Sequence, residues 1–227
     1  DSLSVYAEHG DNYSYTIVDD LDKKLPEGTY CYIGKNGEDI TVKKGFTVVD
    51  AGAWLGDFSA YAAKKGAHVY AFEPSPANIA LLKKTIEYNK DAEGSITIVP
   101  FGLGEEEGSV SFFENDSDGN TGGNSFNIEH GDGNTTLEIT TLDTWVKKNN
   151  IQKIDFIKSD IEGYERRMLS GATNVLREHQ PILSICTYHL PDDKEVIRSI
   201  ILKANPNYTI IQRKMKLFAF VKNAEAK

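Results

Sequence analysis

At 227 residues, with 40% apolar and 26% charged side chains, the chain has the composition of one globular domain with a substantial core. A formal net charge of −9, with Lys and Arg spread along the chain instead of gathered in blocks, leaves no basic footprint and argues against nucleic-acid substrates. No apolar run approaches the roughly 18 residues of a membrane span and no signal-like start is present, so the expectation is a cytoplasmic protein without a membrane partner. Cys31 and Cys186 sit in apolar, strand-like surroundings without metal or C-x-x-C spacing and read as reduced core thiols. The chain starts at Asp1 and not at Met, which reads as a trimmed or excised domain.

Residues 1–45 hold strand-like segments at 15–18, 29–33 and 39–42, which predict a small N-terminal β extension or cap ahead of a main domain over 46–227. That domain opens on Thr47-Val48-Val49-Asp50-Ala51-Gly52-Ala53-Trp54-Leu55-Gly56-Asp57-Phe58, a strand running into a glycine loop and then a helix. Gly52 and Gly56 remove Cβ atoms where the backbone must turn and a ligand approach, and the helix start near Asp57 offers amide donors. A dinucleotide fingerprint reads G-x-G-x-x-G, whereas here Ala53 and Trp54 follow the first glycine and Asp50 ends the strand. An acid at that point repels phosphate and suits a cationic or zwitterionic ligand, such as the amino-acid end and sulfonium of S-adenosylmethionine. His68-Val69-Tyr70-Ala71-Phe72-Glu73 is a second apolar run ending in an acid, about twenty residues after the loop, where a βαβ unit places a ribose-binding carboxylate. Pro74, Ser75 and Pro76 stop this strand and start a helix with Ile79, Leu82 and Ile86 at helical spacing.

Strands at 96–100, 154–159 and 182–188 and a helix at 166–178 continue the alternation. A helix over 192–204 leads into strands at 208–213 and 217–221 across the turn Lys214-Met215-Lys216, a terminal hairpin. Such an α/β sandwich, with a parallel sheet and an antiparallel last strand, is the arrangement of class I methyltransferases. Strands at 110–113 and 137–140 flank a stretch at 115–134 rich in Gly, Asn, Asp and Ser, either a lid over the cofactor cleft or a surface loop without a role.

Four blocks carry a more specific likeness: Val49-Asp50-Ala51-Gly52-Ala53-Trp54-Leu55-Gly56, Phe72-Glu73-Pro74, Thr141-Leu142-Asp143 and Ile154-Asp155-Phe156-Ile157-Lys158-Ser159-Asp160-Ile161-Glu162-Gly163-Tyr164-Glu165. Together they resemble the FkbM-type S-adenosylmethionine-dependent methyltransferases, the last block matching the signature I-D-x-x-K-x-D-x-E-G-x-E. The resemblance spans residues 42–189 and weakens toward the C-terminus. It implies a class I, Rossmann-like fold with a mostly parallel seven-stranded sheet. It also implies S-adenosylmethionine as cofactor and methyl transfer to a hydroxyl of a small molecule, sugar or glycan component.

On that reading Asp50, Gly52, Ala53 and Gly56 line the methionine side of the cofactor, Glu73 takes the ribose with Asn78 nearby, and Gly102 and Leu103 pack on adenine. Trp54, Phe58 and Pro74 complete the expected cofactor-binding set. Asp160 and His189 each end a strand and converge at the carboxyl edge of the sheet. An alcohol needs a base in the transition state, and His189, with an ordinary pKa of about 6.5, is the candidate; Asp160 orients the hydroxyl or steadies the sulfonium. Glu162 and Glu165 are alternative bases, or else acids capping the helix that begins near Gly163. Lys158 neutralises the acidic group, as an ion-pair partner before a catalytic amine. His189 is otherwise a turn histidine ahead of Pro191. Trp54, Tyr164 and Tyr188 either stack on a sugar ring or fill the core. No metal is expected, although the acids would suit one. Two rival readings remain at this level: a nicotinamide-dependent oxidoreductase with a modified fingerprint, and a non-catalytic cofactor-binding module.

Overall fold

The computed structural model describes residues 30–33, 38–112 and 135–222. The stretches at 15–18 and 115–134 lie outside the described residues. Tyr30 and Cys31 lead into β1 (Tyr32–Ile33), which pairs antiparallel with β2 (Asp39–Ile40). β3 (Thr47–Ala51) buries Val49 and Ala51 in one apolar cluster and Val48 in another, as a strand covered on both faces must. It is followed by α1 (Asp57–Lys64), β4 (His68–Phe72), α2 (Pro76–Tyr88) and β5 (Ser95–Val99). Ser75 caps α2 by accepting from the Asn78 amide, with Pro76 in the first turn.

β6 (Gly102–Leu103), β7 (Gly108–Phe112) and β8 (Thr135–Thr140) make a three-stranded side sheet. The expected hairpin strands β7 and β8 pair antiparallel, and β6 joins β8 in parallel. After α3 (Leu142–Lys148) come β9 (Phe156–Ser159), α4 (Glu165–Ser170), α5 (Thr173–Glu178), β10 (Ile182–Cys186), α6 (Asp193–Ala204), β11 (Tyr208–Gln212) and β12 (Lys216–Val221). The single helix expected over 166–178 is two. A Cβ at Gly171 would lie 2.0 Å from the Gly104 carbonyl oxygen, so the chain is held against the loop after β6 and helix α4 stops there.

The main sheet has seven strands in the order β11-β12-β10-β9-β3-β4-β5. Strands β10, β9, β3, β4 and β5 run parallel, while β12 is antiparallel to both of its neighbours. One face packs Leu142, Trp145, Leu169, Val175, Ile197 and Ile201 from α3 to α6 against Val49, Ile157 and Leu183. The other packs Phe58 and Tyr61 of α1, with Tyr30, Cys31 and Ile40, against Val48, Phe156 and Phe218. The described part of the first 45 residues thus closes one face of the sheet. Both cysteines are buried and free, and burial pushes their thiols up, Cys31 to about 11. No described helix is long and apolar enough to cross a membrane.

Two signature blocks explain themselves in this frame. Thr141 caps α3 by accepting from the Thr144 amide at 3.0 Å, and Asp143 accepts from the amides of Asn174 and Val175 at the start of α5. Asp155 accepts from the Thr47 amide at 2.9 Å and so fixes β9 beside β3.

Candidate active site

Alternation along β3 and β9 turns Asp50 and Lys158 to the side of Val48 and Phe156, and the register sets them on adjacent strands. Asp50 is fully buried; its carboxylate lies 2.9 Å from Lys158 Nζ and accepts from Ser59 Oγ at 2.6 Å. The cation that Asp50 faces is therefore Lys158, where the sequence reading placed a ligand. Lys158 also donates to the Gly52 carbonyl at 2.7 Å, which ties the glycine loop to β9. Burial alone would lower its pKa, but Asp50 and Asp160 outweigh it and hold the ammonium charged.

Gly52, at φ +74°, is required by a close approach: a Cβ there would sit 2.2 Å from the Asp160 carbonyl oxygen. The loop after β3 and the loop after β9 therefore touch. The loop amides are directed inward: Gly52 and Ala53 donate to the Phe72 carbonyl, and Trp54 donates to Glu73 Oε2 at 2.9 Å. None of these three amides is left for a pyrophosphate, unlike a dinucleotide loop.

Glu73 is 5% exposed, and its Oε1 accepts from the Ser75 amide at 3.0 Å and from Asn78 Nδ2 at 3.2 Å. Burial outweighs these donors and raises its pKa. A carboxylate offers about four acceptor sites, so one remains after three donors. Beside it Asn78 Oδ1 is buried with no hydrogen-bond partner. Two acceptors held in this arrangement suit a vicinal diol, and the residues fit the ribose of an adenosyl cofactor. Pro74 is half-buried between them and the start of α2.

Asp160 follows β9. Tyr30 Oη donates to its Oδ2 at 2.6 Å and Tyr188 Oη to its Oδ1 at 2.9 Å. Burial would raise its pKa, yet Lys158 and the two hydroxyls hold it below the usual value. Glu162 (φ +53°) and Gly163 (φ +96°) form a left-handed turn that brings His189 among three acids. His189 Nε2 lies 3.4 Å from Glu162 and 3.7 Å from Asp160, and Nδ1 lies 3.2 Å from Glu165. Burial alone would lower the imidazole pKa, but Glu162 and Glu165 dominate and push it up to about 10. His189 is thus an imidazolium at neutral pH, where the sequence reading had an ordinary imidazole free to accept a proton. Glu165 is fully buried and accepts from the Ile161 and Gly163 amides at 2.8 and 3.0 Å, which ties down the turn ahead of α4; it does not cap that helix, which has no side-chain cap.

Asp160, Glu162, Lys158 and His189 therefore come together with Gly52, and Glu73, Asn78 and Trp54 lie across the same loop. Four other expected residues are taken up by packing within the fold. Phe58 is fully buried and stacks on Phe156, because α1 turns that face to the sheet. Leu103 is core in β6, with Gly102 paired beside Ile139. Gly56, at φ +84°, makes room for Leu82. Of the aromatics, Tyr164 is buried, Trp54 half-buried, and Tyr188 is 43% exposed at the mouth, its ring 4.0 Å from that of His189. Sequence reasoning missed Tyr30, which reaches Asp160 from far away in the chain and carries no local signal.

A seven-stranded sheet with one antiparallel strand near its end, and polar and charged groups gathered at its carboxyl edge, defines a class I, Rossmann-like methyltransferase fold. The chain belongs to the family of the methyltransferase FkbM domain, whose model matches residues 50–211. It is 30% identical over 128 residues to the hexuronic acid methyltransferase AglP of Haloferax volcanii, an alignment covering 56% of this chain and 50% of that protein. The chain spans about half the length of this curated relative. The crystal structure of the methyltransferase FkbM from Methylobacillus flagellatus KT superposes with a TM-score of 0.59 at 25% identity, covering 78% of this chain and 44% of the other.

Proposed function

We propose that this chain transfers a methyl group from S-adenosylmethionine to a hydroxyl oxygen of a carbohydrate acceptor. The observation that carries the proposal is the meeting, at one sheet edge, of a diol-accepting pair, Glu73 and Asn78, with the Asp160–Glu162–His189 group across Gly52. The similarity to a protein named for a hexuronic acid supports a sugar as acceptor.

Bound S-adenosylmethionine supplies an electrophilic methyl group on a cationic sulfur. Glu73 and Asn78 would receive its ribose hydroxyls, and the Gly52 and Ala53 amides, closed on the Phe72 carbonyl, keep the strand end rigid. Asp160 stays ionised, steadied by Tyr30 and Tyr188, and its negative charge would favour a cationic sulfur held beside it. Transfer to oxygen draws much of its rate from holding the nucleophile in line with the methyl group, and exposed Tyr188 is placed to stack on a sugar ring. His189 already holds its proton, so the acceptor hydroxyl gives its proton to Glu162, whose carboxylate is the more open of the two that His189 contacts most closely. The imidazolium orients Glu162 and offsets the charge of the acids around it.

The test is release of S-adenosylhomocysteine over a panel of hydroxylated sugars. Turnover that depends on the acceptor is expected. Cofactor binding without turnover on any acceptor contradicts the enzyme reading and favours a binding module.

A further inference from the structure

Lys216 opens β12 and is 7% exposed. Alternation along the strand sets it on the face of Phe218, which packs with Tyr30, Phe58 and Phe156. Its register partner is Cys186, the last residue of β10, so it stands beside the turn that carries Tyr188 and His189. Lys216 Nζ lies 4.1 Å from the centroid of the Tyr30 ring, and the hydroxyl of that ring is the donor to Asp160. The ammonium is thus at the acidic group without belonging to it.

Three neighbouring cations among the described residues are matched. Lys158 has Asp50 and the Gly52 carbonyl, His189 has Glu162 and Glu165, and Arg166 has Asp192 and Asp193. Lys216 has the aromatic face of Tyr30 and, among the described residues, neither a hydrogen bond nor an ion pair at its ammonium. An aromatic face compensates the ammonium of a largely buried lysine only in part, and an anion completes it. The acids around the cleft would repel a negatively charged acceptor, and Lys216, whose charge is felt by Asp160 without an ion-pair contact, offers such an acceptor a positive partner.

We propose that Lys216 binds an anionic group on the acceptor, making the site selective for acidic sugars through a uronate carboxylate. The proposal rests on the reading of this edge as the methyl-transfer site. In it Lys216 is a specificity residue that leaves cofactor binding alone.

Titration of the full chain with methyl glucuronide and with neutral methyl glucoside, each with saturating S-adenosylhomocysteine and read by ligand-observed NMR, tests it. The chain should bind the glucuronide about tenfold more tightly than the glucoside, the size of one charge-assisted contact. Lys216→Met should remove that preference and Lys216→Arg should keep most of it, with the affinity for S-adenosylhomocysteine unchanged in both. If the methionine variant does not fold, Lys216→Gln takes its place. Equal binding of the two sugars, no binding of the glucuronide, or a preference that survives in Lys216→Met overturns the assignment. Failure of S-adenosylhomocysteine to bind the unaltered chain contradicts the methyl-transfer reading instead, and the sugar titrations run without it still decide Lys216.

Discussion

Glu73 holds three protein donors and keeps one acceptor site for a ligand, so its removal both opens the loop after β3 and deletes a ribose contact. Glu73→Ala should weaken S-adenosylmethionine binding by about tenfold or more, measured by calorimetry. Glu162→Gln should leave that binding intact and depress turnover; unchanged turnover would remove Glu162 as the proton acceptor. For His189 the sign is fixed by its raised folded-state value. The stability it contributes is fully present below the unfolded value near 6.5 and is lost as pH rises through about 10. Urea midpoints should therefore fall between neutral pH and about pH 10, and His189→Gln should flatten that slope; an equal slope in the variant contradicts the clamp. The position of His189 at a strand end was legible in the sequence. Its ionisation was not, because it depends on Glu162 and Glu165 turning back through the left-handed Glu162-Gly163 step. The fate of Asp50 was hidden for the same reason: only strand register shows that Lys158 meets it.

Among elements, the strand–glycine–helix unit was readable because buried runs and glycines are local signals, and β3, α1 and β4 fall where those signals put them. The break between α4 and α5 and the added strand β6 were not readable. Both follow from the approach of Gly171 to Gly104, a contact between distant segments that leaves no period in the sequence. The two loop glycines should differ on substitution. Gly52→Ala combines a left-handed backbone with a Cβ 2.2 Å from a carbonyl oxygen, and should cost about 1–3 kcal/mol in urea unfolding while displacing Asp160. Gly56→Ala meets the end of the Leu82 side chain, which can move, and should retain more of the cofactor affinity.

At the scale of the molecule, one buried ion pair links the glycine loop, β3 and β9, and the rest of the site is assembled on that frame. Lys158→Met leaves the Asp50 charge without its partner and should destabilise the fold by about 3–5 kcal/mol, and replacing Asp50 with an apolar residue as well should restore much of the loss. The mostly parallel sheet and its antiparallel last strand were visible as a rhythm of strands and helices, whereas the order of the strands was not. The closing of one sheet face by Tyr30, Cys31 and Ile40 was not, since nothing near residue 30 announces a partner at Asp160. Central to the account is an adenosyl sulfur ligand at the carboxyl edge, in a loop whose amides are turned away from phosphate. Parallel calorimetric titration with S-adenosylmethionine, S-adenosylhomocysteine and NADH tests this most directly. The account predicts binding of the two sulfur ligands and none of NADH; binding of NADH alone would contradict it.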